Sequence, residues 1–329
     1  MGSGINAGII STGKALPVSR LTNKDLEDMV DTNDEWIKSR TGIEERRILT
    51  TEETNSYLSA RAARIALERA ELSPQEIDVL IVATVTPDLI LPSTACLIQD
   101  IIGAYNASAF DLAAGCTGFL YGLQVAVQFI ENNSARNILL VGVDTLSPIV
   151  DWQDRNTCVL FGDGAGAVVL SRVGEEQGIL SSKMYSDGSK AKLLYVPSGG
   201  SNEPARYRTI DERGHYIKMN GPEVFKFAVT VMVDSTLHAL ELSQRKKEDL
   251  DFLIPHQANV RIIKAACKRL DLNSEQVIVN INRYGNMSSA SIPVALDEAL
   301  EENKIQRGDL IAMVSFGAGL TWGAAVMQW

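Results

Sequence analysis

The chain has 329 residues and a formal net charge of −10. That length exceeds what one hydrophobic core usually serves, so two domains or two halves are expected. With 45% hydrophobic and 22% charged residues the make-up is that of a soluble globular protein, and the acidity disfavours nucleic-acid binding by the molecule as a whole.

No apolar run reaches the length of a membrane span, and no basic-then-apolar region opens the sequence. A cytoplasmic protein with no membrane partner is therefore expected. Read along the chain, helical spacing over 54–71 leads to a strand-like run at 78–84 and a second helix over 92–103. A short apolar run then enters Ala113-Ala-Gly-Cys116, and helical spacing resumes over 118–132. Strands follow at 137–144 and 165–170. The stretch 183–221, with Pro197-Ser-Gly-Gly-Ser and many charges, reads as an irregular excursion. Beyond it lie a helix over 222–243, a strand at 250–255, helices over 259–270 and 291–303, and a strand at 309–316. Alternation of this kind predicts an α/β architecture.

The two parts of the chain resemble each other. Asp78-Val-Leu-Ile recurs as Asp251-Phe-Leu-Ile, 173 residues on, and Asn137-Ile-Leu-Leu-Val as Asp309-Leu-Ile-Ala-Met-Val, 172 on. Gly115-Cys116 falls opposite Gly285-Asn286 at a displacement of 170. The closing strands, Gly166-Ala-Val-Val and Gly323-Ala-Ala-Val, are only 157 apart, so the first half carries an extra segment at about 147–161. A repeat this large means a duplicated domain rather than a solenoid. The division is expected at 182/183. If the halves pack about a pseudo-dyad, Cys116 and Asn286 would each begin the central helix of its half.

Four cysteines, Cys96, Cys116, Cys158 and Cys267, are widely spaced. The three histidines form no ligand pattern with them, so free thiols and no metal site are expected. Cys116 sits between Gly115 and Gly118 at a strand-to-helix turn. Free amide N–H groups and the helix dipole favour a thiolate there, able to attack a thioester, although a buried cysteine often merely packs. His256, after Leu253-Ile-Pro255, would stand at the carboxyl edge of a sheet; alone it reads equally as structural. Asn286 alone reads as a helix cap. Gly162-Asp-Gly-Ala-Gly166 is not a phosphate loop, because a strand follows it, and reads as a tight turn between strands. Phe316-Gly-Ala-Gly-Leu320 is a second glycine turn whose N–H groups could hold an anion. Arg261, Lys264, Lys268 and Arg269 share one helix face, either an ordinary solvated face or a dock for an acidic partner.

Together these residues resemble the thiolase-fold condensing enzymes, in particular the β-ketoacyl-acyl-carrier-protein synthase III family of initiating ketosynthases. The resemblance spans nearly the whole chain. Its motifs are Asp34-Glu-Trp-Ile-Lys-Ser-Arg-Thr-Gly-Ile-Glu-Glu-Arg-Arg, Ala114-Gly-Cys-Thr-Gly-Phe, Asp163-Gly-Ala-Gly-Ala, Pro255-His-Gln-Ala-Asn and Tyr284-Gly-Asn. It implies two βα halves related by a pseudo-two-fold and layered α/β/α/β/α. It implies a catalytic set of Cys116, His256 and Asn286, with an oxyanion hole from the backbone of Cys116 and Gly319. CoA contacts would come from Trp36, Arg40, Arg155, Gly221 and Asn259, and carrier-protein docking from Lys226, Arg261, Lys264 and Lys268. Leu91 takes a position often held by a phenylalanine that reaches the partner subunit's acyl pocket. The implied substrates are an acyl-CoA and malonyl-acyl carrier protein, with no cofactor and a homodimeric state. Primer length and branching stay open. So do three other readings: an acyltransferase of a specialised pathway, a hydroxymethylglutaryl-CoA-type synthase, and a non-catalytic scaffold. The second needs a placed carboxylate with no candidate here; the third has no need to keep Cys116, His256 and Asn286 together.

Overall fold

The computed structural model describes residues 6–329. One sheet has five strands in the order Asn6–Ala15, Asp163–Val173, Ile138–Thr145, Val79–Ala83 and Ser108–Leu112. The last three run parallel, and the first two pair antiparallel with their neighbours. A second large sheet runs Gly178–Ser186, Thr321–Gln328, Leu310–Gly317 and Phe252–Pro255, and only its last pair is parallel. The two sheets share strand order and direction. An isolated parallel bridge from Leu253 to Val277 stands where the fifth strand of the first sheet has its counterpart. Strand Gly178–Ser186 already pairs in the second sheet, ahead of the division expected at 182/183.

Five layers result. Helices Asn55–Arg69 and Thr94–Ile102 cover the outer face of the first sheet, and Gly221–Leu242 and Val260–Leu270 that of the second. Between the sheets lie Gly118–Glu131 and Ser291–Glu301. A helix covered on both sides needs apolar residues around most of its circumference. Gly118–Glu131 meets this with Phe119, Leu120, Leu123, Ala126, Val127 and Ile130, all buried. One core therefore runs from Ile81 and Leu140 in the first sheet through Leu123 and Leu296 to Ile254 and Met313 in the second. Asp297, fully buried on the second central helix, is held by Thr12 at 2.7 Å, Lys14 at 2.9 Å and Arg69 at 2.6 Å. A buried carboxylate persists only when paired in this way, and the pairing ties the second half's central helix to the first half. The outer helix Val260–Leu270 buries Ile262, Ile263, Ala266 and Leu270 and turns Arg261, Lys264, Lys268 and Arg269 outward.

The glycine stretch at 162–166 is not a turn. Asp163–Val173 is one continuous strand. Its glycines answer to close approach by the second half: a Cβ on Gly166 would stand 2.8 Å from Pro293, and one on Gly164 2.5 Å from the sulfur of Met287. The Phe316–Leu320 turn does form, joining Leu310–Gly317 to Thr321–Gln328.

Candidate active site

Cys116 lies in a single 3-10 turn, Gly115–Thr117, directly before the central helix Gly118–Glu131. Gly115 enters the turn at φ +54°, a conformation glycine takes without steric cost. The Thr117 hydroxyl donates to the Ala114 carbonyl at 2.5 Å, and the Ser315 hydroxyl of the second sheet donates to the Cys116 carbonyl at 2.8 Å. The turn is thus pinned from both halves.

His256 follows strand Phe252–Pro255. Its N–H extends the ladder to the Val314 carbonyl at 2.8 Å. The next residue, Gln257, donates its side-chain amide to the carbonyls of Pro255 and Ile278 at 2.7 and 3.1 Å, which fixes the chain as it leaves the sheet. The imidazole packs edge-on against Phe316, centroids 5.6 Å apart. Asn286 does not begin the second central helix. It sits before another 3-10 turn, Ser288–Ala290, and bridges to the first half's insertion. Its N–H donates to Leu160 at 2.8 Å, and its backbone carbonyl accepts from Gly162 at 3.0 Å. Its side-chain oxygen accepts from the Ser288 N–H at 2.8 Å. That leaves Nδ2 as the end free to donate. The repeat register is accordingly 173, not 170: Gly115–Thr117 matches Ser288–Ala290, and Cys116 matches Ser289.

Cys116, His256 and Asn286 line one cavity of about 980 Å³. Phe316 and Gly317 stand with them, and the exposed residues Arg40, Lys226 and Arg261 line its outer reaches. Cys116 is half-buried and opens onto this cavity. Burial pushes its thiol up to about 12. A hydrogen bond from Ser288 and the amide of Cys116 itself oppose that rise, and the charge of Asp144 adds to it. Burial pushes His256 down to about 3. Withdrawal from water thus opposes the thiolate expected from the helix position. Burial favours the thiol and the neutral imidazole as resting forms. Alkylation of Cys116 by iodoacetamide should therefore climb about tenfold per pH unit through neutrality into the alkaline range. A rate that levelled off below pH 8 would mean a preformed thiolate.

The family profile "3-Oxoacyl-[acyl-carrier-protein (ACP)] synthase III" matches residues 110–188, which hold Cys116. The corresponding C-terminal profile matches residues 240–329, which hold His256 and Asn286. A beta-ketoacyl-[acyl-carrier-protein] synthase III of Natranaerobius thermophilus is 57% identical over 327 residues, 98% of this chain and 99% of that one. The chain belongs to the 3-oxoacyl-[acyl-carrier-protein] synthase III family. A synthase III of Caldanaerobacter subterraneus is 54% identical, with 99% of this chain and 98% of that one covered. The crystal structure of the Aquifex aeolicus synthase III, 49% identical, superposes with a TM-score of 0.91 over 98% of this chain and 100% of that one.

Other expected site residues of this synthase III chain fall around the same cavity. Trp36, Arg40, Gly221 and Asn259 line it. The Arg40 and Arg155 guanidiniums lie 5.3 and 5.0 Å from the Trp36 ring centroid. Arg155 is not itself in the lining, though Asp154 and Asn156 beside it are. Asn259 caps Val260–Leu270 through Arg261 N–H at 2.8 Å and donates to the Arg40 carbonyl at 3.0 Å, joining the two loops at the entrance. Lys226 and Arg261 face the cavity, and Lys264 and Lys268 continue the exposed helix face outside it. Leu91 is 84% exposed and lines no part of its own chain's cavity. Gly319 also lies outside the lining. Gly317 abuts Cys116 instead, and the Ala318 amide nitrogen is 3.0 Å from where a Cβ on Gly115 would stand. Leu194, Met219 and Asn220, from the stretch read only as irregular, also line the cavity. Their scatter among polar residues gave no periodic signal.

Proposed function

We propose that the chain condenses an acyl-CoA primer with malonyl-acyl carrier protein, giving a 3-oxoacyl-acyl carrier protein, CO₂ and CoA, and so initiates fatty acid synthesis. The observation that carries this is the single cavity onto which Cys116, His256 and Asn286 all open. The Cys116 sulfur attacks the thioester carbonyl, CoA leaves as the thiolate, and the thiol proton ends on CoA. In this reading the backbone N–H groups of Cys116 and of the Gly317–Gly319 turn, Gly319 among them, hold the oxyanion. Malonyl-acyl carrier protein then enters. The C–C bond to its carboxylate breaks, CO₂ departs, and the electron pair becomes an enolate. Neutral His256 and the Asn286 amide donate to the enolate oxygen without titrating. The enolate carbon attacks the acyl-Cys116 carbonyl, the C–S bond breaks, and the sulfur is reprotonated.

Sulfur, imidazole and amide supply all of this chemistry, so no resident cofactor is called for. Trp36, with the Arg40 and Arg155 guanidiniums near its ring, suits an adenine with its phosphates. The exposed basic face of Val260–Leu270, on an acidic molecule, suits an acidic carrier protein. In a homodimer Leu91 would reach the partner's acyl pocket, and the reaction belongs in the cytoplasm. The test is incubation with a panel of acyl-CoAs, followed by intact mass and peptide mapping. One acyl group on Cys116, discharged as 3-oxoacyl-acyl carrier protein on addition of malonyl-acyl carrier protein, is the expected result. No acylation of folded protein by any CoA thioester would overturn the proposal in favour of a non-catalytic role.

A further inference from the structure

At the repeat register of 173, Glu298 on the central helix Ser291–Glu301 stands opposite Val125 on the central helix Gly118–Glu131. Val125 packs against the core between the sheets. Glu298 keeps a carboxylate in a setting only 7% exposed, and burying that group is costly unless it is paired. The second half therefore departs from the apolar choice of the first.

Its partners show what the carboxylate holds. Glu298 accepts from the Asn280 side-chain amide at 2.7 Å, the Arg283 guanidinium at 3.1 Å and the Tyr284 hydroxyl at 2.5 Å. These residues bracket the short helix Ile281–Tyr284, with Asn280 as its N-cap. One turn of helix is too short to hold itself, so its placement is set by what grips it. Gly285 and Asn286 follow directly. Asn280 also reaches the other way. Its backbone N–H donates to the Gln257 side-chain oxygen at 3.1 Å, and Gln257 is the residue that fixes the chain just after His256. Gln257, Asn280 and Tyr284 are buried like Glu298, and none of the four lines the cavity. One carboxylate behind the cavity wall thus ties the segment carrying Asn286 to the segment carrying His256. The nucleophile turn stands outside this network, held by Thr117 and Ser315.

We propose that Glu298 is a positioning residue for decarboxylation: from the buried central helix it sets the spacing of His256 and Asn286, the two donors to the enolate oxygen. This rests on the condensation proposed above. Two donors serve one oxygen only while their separation is kept, and a misplacement of about 1 Å can cost roughly 100-fold. Acyl transfer to Cys116 draws on neither donor, so the two steps should respond differently.

The test compares Glu298→Leu, Glu298→Gln and Tyr284→Phe with the parent, each step measured separately. In Glu298→Leu, kcat for CO₂ release from malonyl-acyl carrier protein should fall roughly 10- to 100-fold with KM within about threefold, while single-turnover acylation of Cys116 and its alkylation by iodoacetamide stay within about twofold. Tyr284→Phe, which deletes one hydroxyl and keeps the ring, should show the same split at about 3- to 10-fold, and so decides the matter even where the leucine variant folds poorly. Glu298→Gln can accept from Asn280 and Arg283 through its oxygen and donate to Tyr284 through its nitrogen, so it should recover most of the rate. Adding Glu298→Leu to Asn286→Ala should slow CO₂ release little further, because with one donor gone there is no spacing left to keep. Equal losses in acylation and decarboxylation, or fully multiplicative losses in the double variant, would make Glu298 a matter of folding alone and overturn the proposal. So would CO₂ release at the parent rate in both Glu298→Leu and Tyr284→Phe, beside an active parent. A parent that releases no CO₂ would instead overturn the condensation itself, and this proposal with it.

Discussion

Cys116→Ala is expected to lose condensation by on the order of 10⁴-fold or more, because among the described residues no other thiol lines the cavity to form the acyl thioester. Ser315 is spent on the Cys116 carbonyl, and Ser289 on Asp144 and the Ala83 carbonyl. Cys96, Cys158 and Cys267 do not line the cavity. The variant should fold normally: the turn is held by Thr117 and Ser315 through backbone atoms, neither of which needs the thiol. It should still release CO₂ from malonyl-acyl carrier protein, since the donors for the enolate lie on His256 and Asn286. Product formation measured by mass, beside CO₂ release from the same samples, checks both halves of this expectation. Condensation by the alanine variant near the parent rate would remove Cys116 from the mechanism.

The second large effect is the converse. His256→Ala and Asn286→Ala should still take an acyl group on Cys116, yet decarboxylate malonyl-acyl carrier protein about 10²- to 10³-fold more slowly, the usual loss for one oxyanion donor. Burial is what fits His256 to this role. With its pKa pushed down to about 3, the imidazole stays neutral across the working range. The decarboxylation rate of the parent should then show no step from His256 between pH 5 and pH 8. Asn286→Asp separates donor from scaffold: a carboxylate can still accept from the Ser288 N–H, which Asn286 now does at 2.8 Å, but offers no N–H to the enolate. It should be as slow as the alanine variant while keeping the local hydrogen bond. Full decarboxylation in any of these variants would refute the assigned roles.

Much of the fold was legible because the interior elements announce themselves. The helices at 55–69, 118–131 and 291–301 fall within a few residues of the stretches expected from their spacing. Strand Ile138–Thr145 is buried at every position and reads as an unbroken apolar run. The edge elements were less visible. Gly178–Ser186 lies at the rim of its sheet and carries Ser181, Ser182 and Lys183, so it reads as polar surface. The glycines of Asp163–Val173 looked like a turn because what they make room for, Pro293 and Met287, is more than 120 residues away in the chain.

The site divides in the same way. Cys116 and His256 stand at strand ends, where local pattern and topology agree. Asn286 reads locally as a cap, and its role depends on Leu160, Gly162 and Ser288. The match between the turns Gly115–Thr117 and Ser288–Ala290 was missed because a repeat register of 170 sets Ser288 opposite Gly118, whereas 173 sets it opposite Gly115. The desolvation that opposes a Cys116 thiolate is a property of the assembled interior, invisible in a sequence window.

A crystal structure of the acylated enzyme tests the convergence most directly. The predicted result is a thioester on Cys116 with its carbonyl oxygen against the amide of Cys116 and those of the Gly317–Gly319 turn. His256 and Asn286 should both donate into the one volume on the open side of the acyl carbon. An acyl group walled off from either side chain, with His256 and Asn286 opening onto a different cavity, would contradict it.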